Sequence, residues 1–232
     1  MFNKAITIAT CLLFVCLSNG AAEKNAPAGQ VDGLPLLLHE DFSDADAALK
    51  RFTFSDPKAW KIDQDTVDGQ RKNVLSQFQP SKSTPKVRSP FNQGWINDLK
   101  VGPFVMDVKL RSTKPDYGHR DMCLFFGGVD ESHLFYVHLG KVPDPNCHNV
   151  FIVDGAPRKN IATRVSEGAP WDDNYHTVRL CRDAQGNIKV FWDGQQIMTA
   201  KNDKFPAGKL GVGTFDDTGT FASITVWGKR AE

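Results

Sequence analysis

Between His133 and Arg158 the chain gathers the residue types that proton transfer and sugar recognition use. The run His133-Leu134-Phe135-Tyr136-Val137-His138-Leu139-Gly140 reads as a strand, and alternation puts Tyr136 and His138 on one of its faces. His148-Asn149 opens the next extended run and Arg158 follows it, so a hairpin pairing of the two runs would bring these side chains to one patch. There Tyr, His, Asn and Arg would set titratable and hydrogen-bonding groups side by side. The competing reading is a half-buried strand pair whose Tyr and His are satisfied by backbone groups.

Pyranose faces pack on indole rings while sugar hydroxyls seek polar neighbours, which draws attention to Trp60, Trp95, Trp171, Trp192 and Trp227. Trp192 and Trp227 lie in apolar strands and are expected in the core. Trp95 follows Asn92-Gln93-Gly94 and Trp171 precedes Asp172-Asp173, so these two are expected to be exposed, and Trp171 joins Tyr136, His138, His148, Asn149 and Arg158 as a candidate ligand contact. Oxygen ligands for Ca²⁺ could gather from Asp216-Asp217 and Glu40-Asp41 if the first and last strands are adjacent. An Asx-rich turn explains the same residues, and His133, His138 and His148 lack a diagnostic zinc spacing. No cofactor and no metal site is therefore assigned, with a structural calcium at Asp216 and Asp217 as the open alternative.

The charge balance narrows the partners. With 28 Lys and Arg against 27 Asp and Glu, the 232-residue chain has a formal net charge of +1 and lacks the basic surplus that neutralising a phosphate backbone requires. Nucleic acid is not an expected partner. Met1-Phe2-Asn3-Lys4, an apolar run from Ala5 to Leu17 and the small residues up to Ala22 read as an export signal over residues 1–22. The apolar run is shorter than the roughly 20 residues that span a bilayer, so no membrane insertion is expected after cleavage and the location is periplasmic or extracellular. Val15 before Cys16 argues against lipid attachment. Of the later cysteines, Cys123, Cys147 and Cys181, two could pair and leave one thiol, or all three could stay unpaired.

Residues 23–35 are polar and rich in Ala, Gly and Pro, and read as a linker. Ser43-Asp44-Ala45-Asp46 looks like a helix start, and Ala45, Ala48, Leu49 and Phe52 keep helical spacing. From Trp60 onward the period is two. Phe104, Met106, Val108 and Leu110 alternate with more polar neighbours, and the pattern returns at Val178-Leu180, Ile188-Val190-Trp192 and Ala222-Ile224-Val226. Met122 to Phe126 and Leu134 to Leu139 are apolar on both faces, as strands at the centre of a sandwich are. Asp68-Gly69, Asp154-Gly155, Gly186-Asn187 and Asp193-Gly194 supply turns between the runs. The expected fold is all-β, an antiparallel β-sandwich with one short N-terminal helix, in a single domain over residues 36–229.

Trp171-Asp172-Asp173-Asn174-Tyr175-His176-Thr177-Val178, then Ile188 to Gly194, then Gly208 to Phe215 and the closing strand Phe221 to Trp227, resemble the concanavalin A-like, laminin G-like domains. Those domains typically have a Trp, a His-x-Val strand and a strand ending in an Asp-Gly turn. The likeness covers roughly residues 170 to 228. It implies a jelly roll whose concave sheet, in many relatives, holds an oligosaccharide, although the scaffold also carries glycosidases, lyases and adhesion modules. The Glu-x-Asp-x-Glu strand of the family's bacterial β-glucanases is absent, as is the Tyr-x-Lys-x-Gly-x-Tyr-x-Gln strand of its alginate-type lyases. The resemblance therefore implies first an exported carbohydrate-binding domain. The rival expectations are a secreted glycoside hydrolase of the 3-keto-disaccharide hydrolase type or a polysaccharide lyase, and, third, a structural or adhesion module.

Overall fold

The computed structural model describes residues 26–232, so the signal segment expected over 1–22 lies outside the described residues. Gln30–Val31 (β1) folds back on Leu34–Glu40 (β2), the helix Ala45–Lys50 (α1) follows, and Phe52–Phe54 (β3) leads to the hairpin of Trp60–Val67 (β4) and Gln70–Gln77 (β5). Next come the long strand Asn92–Ser112 (β6), Cys123–Asp130 (β7), His133–His138 (β8), Asn149–Asp154 (β9), and the short Lys159–Asn160 (β10) and Ala162–Val165 (β11). His176–Arg182 (β12), Asn187–Trp192 (β13), Gln195–Lys201 (β14), Gly208–Thr214 (β15) and Gly219–Arg230 (β16) complete the chain. All the pairings are antiparallel.

Strand β6 belongs to both layers. Its first half pairs with β3 and β15, and onward through β7, β8, β9 and β10 this forms the front sheet. Its second half, past Gly102-Pro103, pairs with β12 and β16, and with β13, β14, β11 and β2 forms the back sheet. The alternating residues meet between the layers: Leu124, Phe126, Phe135, Val137, Val150 and Val212 from the front against Met106, Val108, Leu110, Val178, Leu180, Val190 and Ile224 from the back. Burying these apolar faces is the driving force for the two-layer arrangement.

Local signals are met where backbone chemistry demands them. Asp44 caps α1 by accepting from Ala47 N at 3.1 Å. Asp193 and Gly194 both take positive φ, 46° and 84°, as a two-residue hairpin between β13 and β14 requires. The expected linker is different: within residues 23–35, Gln30 and Val31 pair with Pro35 and Leu34, so paired structure begins before Leu36. The tight turn at Asp32-Gly33, φ 50° and 75°, makes this hairpin out of residues whose composition reads as a connector. Cys123, Cys147 and Cys181 are all free thiols, which decides between the two cysteine readings in favour of the unpaired one.

Candidate functional site

The face of the front sheet that points away from the core carries a row of rings. Trp95 on β6, Phe125 on β7, Tyr136 on β8 and Phe151 on β9 follow one another across the strands, with centroid separations of 5.3, 6.3 and 5.0 Å. Alternation places them there, since Leu124, Phe126, Phe135 and Val137 face the core. Most of the row is covered. Val87 and Phe91, from the segment between β5 and β6, pack on a second apolar cluster of Cys123, Phe125, Leu134, Tyr136, Phe151, Val153 and Phe215. Arg158 closes the cover: its guanidinium lies 4.2 Å from the Phe215 ring centre, and it donates to Tyr136 Oη at 3.2 Å and to Asn146 O at 3.0 Å.

At the β6 end the row is open. The Trp95 indole is half-buried and lies against the backbone of Gly128 and Gly211, where a Cβ would sit 2.4 Å from its Cζ3 and 3.2 Å from its Cε3. Only glycine leaves room for that ring over the sheet. Its Nε1 donates to Gln93 Oε1 at 2.9 Å, which orients the indole. Thr53, Ser55, Ser83, Asp130, Glu131 and Lys209 complete a cleft of about 280 Å³ around it. Lys209 forms no ion pair among the described residues. A larger hollow of about 750 Å³ lies on the outer face of the back sheet. Its central charges are paired, Arg179 holding Asp107 through two bonds of 2.7 Å, as the carboxylates of the Trp95 cleft are with His133 at 2.8 Å and Lys86 at 2.5 Å; what the Trp95 cleft adds is the indole and the unpaired Lys209. Trp95 thus sits where an apolar platform and polar rim coincide, the arrangement that small-ligand recognition uses.

Solved structures repeat this two-layer arrangement. The chain is similar to the carbohydrate-binding module CBM66 from Bacillus subtilis, with 14% identity, 76% of this chain and 95% of that chain covered, and a TM-score of 0.51. It is similar to domain 4 of AbnA, an extracellular GH43 arabinanase from Geobacillus stearothermophilus, in complex with arabinotriose. There the identity is 10%, the coverage 85% and 94%, and the TM-score 0.52. A Bacillus subtilis protein of unknown function with a galectin-like fold matches at 12% identity, over 84% of this chain and 97% of that one, with a TM-score of 0.52. The fold is concanavalin A-like. No family model matches the chain, and no curated protein matches it.

Within this concanavalin A-like front sheet, the residues singled out from sequence are brought partly together. Tyr136, His138 and Arg158 share the outer face, and Asn149, at the start of β9, pairs in register with His138. They form a covered patch. Tyr136 is fully buried, and Asn149 spends its amide on the carbonyls of Asp144 and Cys147 at 2.7 and 2.9 Å. His148 takes no part in the patch; its φ of 52° ends the approach to β9, and its Nε2 meets Ser166 Oγ at 3.0 Å. Trp171, expected to be exposed, is 6% exposed. Its indole meets Trp192 edge-on at 4.7 Å and donates to Leu139 O at 2.8 Å, because the polar Asp172-Asp173 pair turns outward while the indole turns in. Glu40 accepts from Phe42 N and Arg51, whereas Asp216 and Asp217 gather with Asp121, one oxygen of each within 4.8 Å of the others, and Asp217 accepts from Tyr117 Oη and from Asp121 N. Lys209, on β15, carried no signal in sequence because it lies far from Trp95 along the chain, whereas Gln93 precedes Trp95 by two residues on β6 and shares its face by alternation.

Burial pushes the His148 imidazole down to about 4 by penalising its charged form. The unfolded chain, with an ordinary histidine near 6.5, takes up a proton that the folded chain refuses, so stability present above about pH 6.5 is lost as the pH falls toward 4. The full loss is about 3 kcal/mol at 1.36 kcal/mol per unit. Urea unfolding midpoints compared between about pH 7 and about pH 4.5 should drop markedly less in His148→Gln than in the wild type. Equal drops in the two proteins would show that another group dominates acid sensitivity.

Proposed function

We propose that this protein is an exported carbohydrate-binding domain and that its ligand stacks on Trp95 in the open cleft of the front sheet. The observation that carries the reading is the half-buried indole seated on glycine backbone and ringed by hydroxyl, amide, carboxylate and ammonium groups. A sugar ring presents one apolar face to such an indole while its equatorial hydroxyls reach the rim. The fold supports the reading, since the solved structures sharing it include a carbohydrate-binding module and an arabinanase domain with arabinotriose. Export rests on the signal-like first 22 residues. Tyr136, His138, Asn149 and Arg158 in this reading form the covered part of the same face, and Trp171 and His148 stay structural.

The test is calorimetric titration of the mature protein with neutral and uronic oligosaccharides chosen from an array. Trp95→Ala should weaken binding at least about tenfold, the scale of one lost stacking contact. Gly128→Ala, which pushes a methyl into the indole, should weaken it in the same direction. Folded Trp95→Ala that binds like wild type would remove the cleft from the site. New reducing ends or unsaturated uronate in the same mixtures would mark turnover and replace a binding domain by an enzyme.

A further inference from the structure

At the rim of the same sheet, beyond Tyr136, three donors of different chemistry converge in a buried place. Cys123 opens β7 and His138 closes β8, and the two are register partners on adjacent strands, so their separation is set by the ladder. Asp121 lies two residues before Cys123 and is 1% exposed. One donor atom each from Asp121, Cys123 and His138 lies within 4.8 Å of the others.

The hydrogen bonding leaves His138 incomplete. Its Nδ1 lies 3.2 Å from Asn146 O, and a carbonyl can only accept, so Nδ1 carries a hydrogen and Nε2 is the ring atom left to bind a metal in the neutral tautomer. That Nε2 is buried in a residue 4% exposed and has no hydrogen-bond partner. It faces Asp121 Oδ2 at 3.5 Å, longer than an ordinary N–H···O hydrogen bond. Cys123 Sγ lies 3.8 Å from Asp121 Oδ1. A tetrahedral ion with bonds of about 2.0–2.1 Å to nitrogen and oxygen and about 2.3 Å to sulfur separates its ligand atoms by roughly 3.3–3.6 Å. The 3.5 Å between His138 Nε2 and Asp121 Oδ2 matches such an edge, and one donor atom from each of the three residues lies within 4.8 Å of the others.

We propose that Asp121, Cys123 and His138 bind one divalent transition-metal ion of the zinc class. The mixed nitrogen, sulfur and oxygen donor set selects such an ion over Ca²⁺, which takes oxygen ligands. Supporting contacts around the donors are already in place. Asn146 O holds the His138 tautomer and is itself held by Arg158, Phe215 N donates to Asp121 Oδ1 at 2.8 Å, and Asp217 Oδ2 accepts from Asp121 N at 3.0 Å. The ion would tie the start of β7 to the end of β8, and the Phe215 loop is joined to it through the hydrogen bond from Phe215 N to Asp121. This inference stands independently of sugar binding at Trp95.

Co²⁺ serves as the probe because a thiolate ligand gives it a charge-transfer band and a tetrahedral field gives it intense visible bands. Chelator-stripped mature protein should develop both, saturating at one equivalent, and one equivalent of Zn²⁺ should abolish them. Cys123→Ser should lose the charge-transfer band and His138→Gln should weaken Co²⁺ binding at least about tenfold, whereas Cys181→Ser should match the wild type. The wild-type titration needs no variant to fold; far-ultraviolet circular dichroism checks those that are used. No band with the wild type, loss of the band in Cys181→Ser, or saturation by Ca²⁺ without a response to Co²⁺ would each overturn the proposal.

Discussion

Replacing Tyr136 with alanine is expected to lower the unfolding free energy by about 3–5 kcal/mol, the range for deleting a fully buried aromatic ring. The ring stacks on Phe151 at 5.0 Å and 18°, and meets Phe125 and His138 at 6.3 and 6.1 Å, with no exposed surface. Truncation removes its transfer free energy and leaves a hole between two rigid strands that cannot collapse to fill it. It also strips Arg158 of one acceptor while Asn146 O remains. Tyr136→Phe separates the contributions, since it keeps the ring and loses only a charge-assisted bond, at a cost of about 1.5–3 kcal/mol. Urea unfolding followed by tryptophan fluorescence, with unchanged slope, is the measurement. A wild-type midpoint for Tyr136→Ala would mean that the cover over this face opens in solution, and Tyr136 would return to the list of ligand contacts.

Trp171→Ala should be as damaging, about 3–5 kcal/mol, and should leave sugar affinity of the folded fraction unchanged. The indole packs at 89° on Trp192, and its Nε1 fastens the approach to β12 onto Leu139 at the end of β8. Removing it unpacks one edge of the core and leaves the Leu139 carbonyl without that donor. In a domain of this size the loss corresponds to a fall in Tm of roughly 6–20 °C. Trp171→Phe retains much of the bulk and should recover part of it. A Trp171→Ala protein with wild-type Tm but lost sugar binding would reinstate the exposed-tryptophan expectation.

The two positions show how far sequence pattern reaches. Alternation at Phe104 to Leu110, Val178 to Leu180 and Ile188 to Val190 specified a two-layer β fold, because a strand side chain's face depends only on its parity. Asp193-Gly194 and Asp44 were legible for the same local reason, a turn or cap satisfied within a few residues. The runs Met122 to Phe126 and Leu134 to Leu139, apolar on both faces, read as central strands, and the structure shows that the outer side of their sheet is covered as well. Tyr136 and His138 within such a run were therefore candidates for burial as much as for binding.

By itself the sequence determined strand, turn and helix start, the alternating apolar residues of the core strands, and which side chains share a face. Only the tertiary structure decided which of those faces meets solvent. Val87, Phe91 and Arg158 close over Tyr136, Gly128 and Gly211 admit the Trp95 ring, and Asp121 arrives beside His138 from outside the strand that carries it. The physical reason is separation. Periodicity is a property of neighbours along the chain, whereas a cover, a cleft and a ligand set are made by segments that meet only after the sheets have stacked.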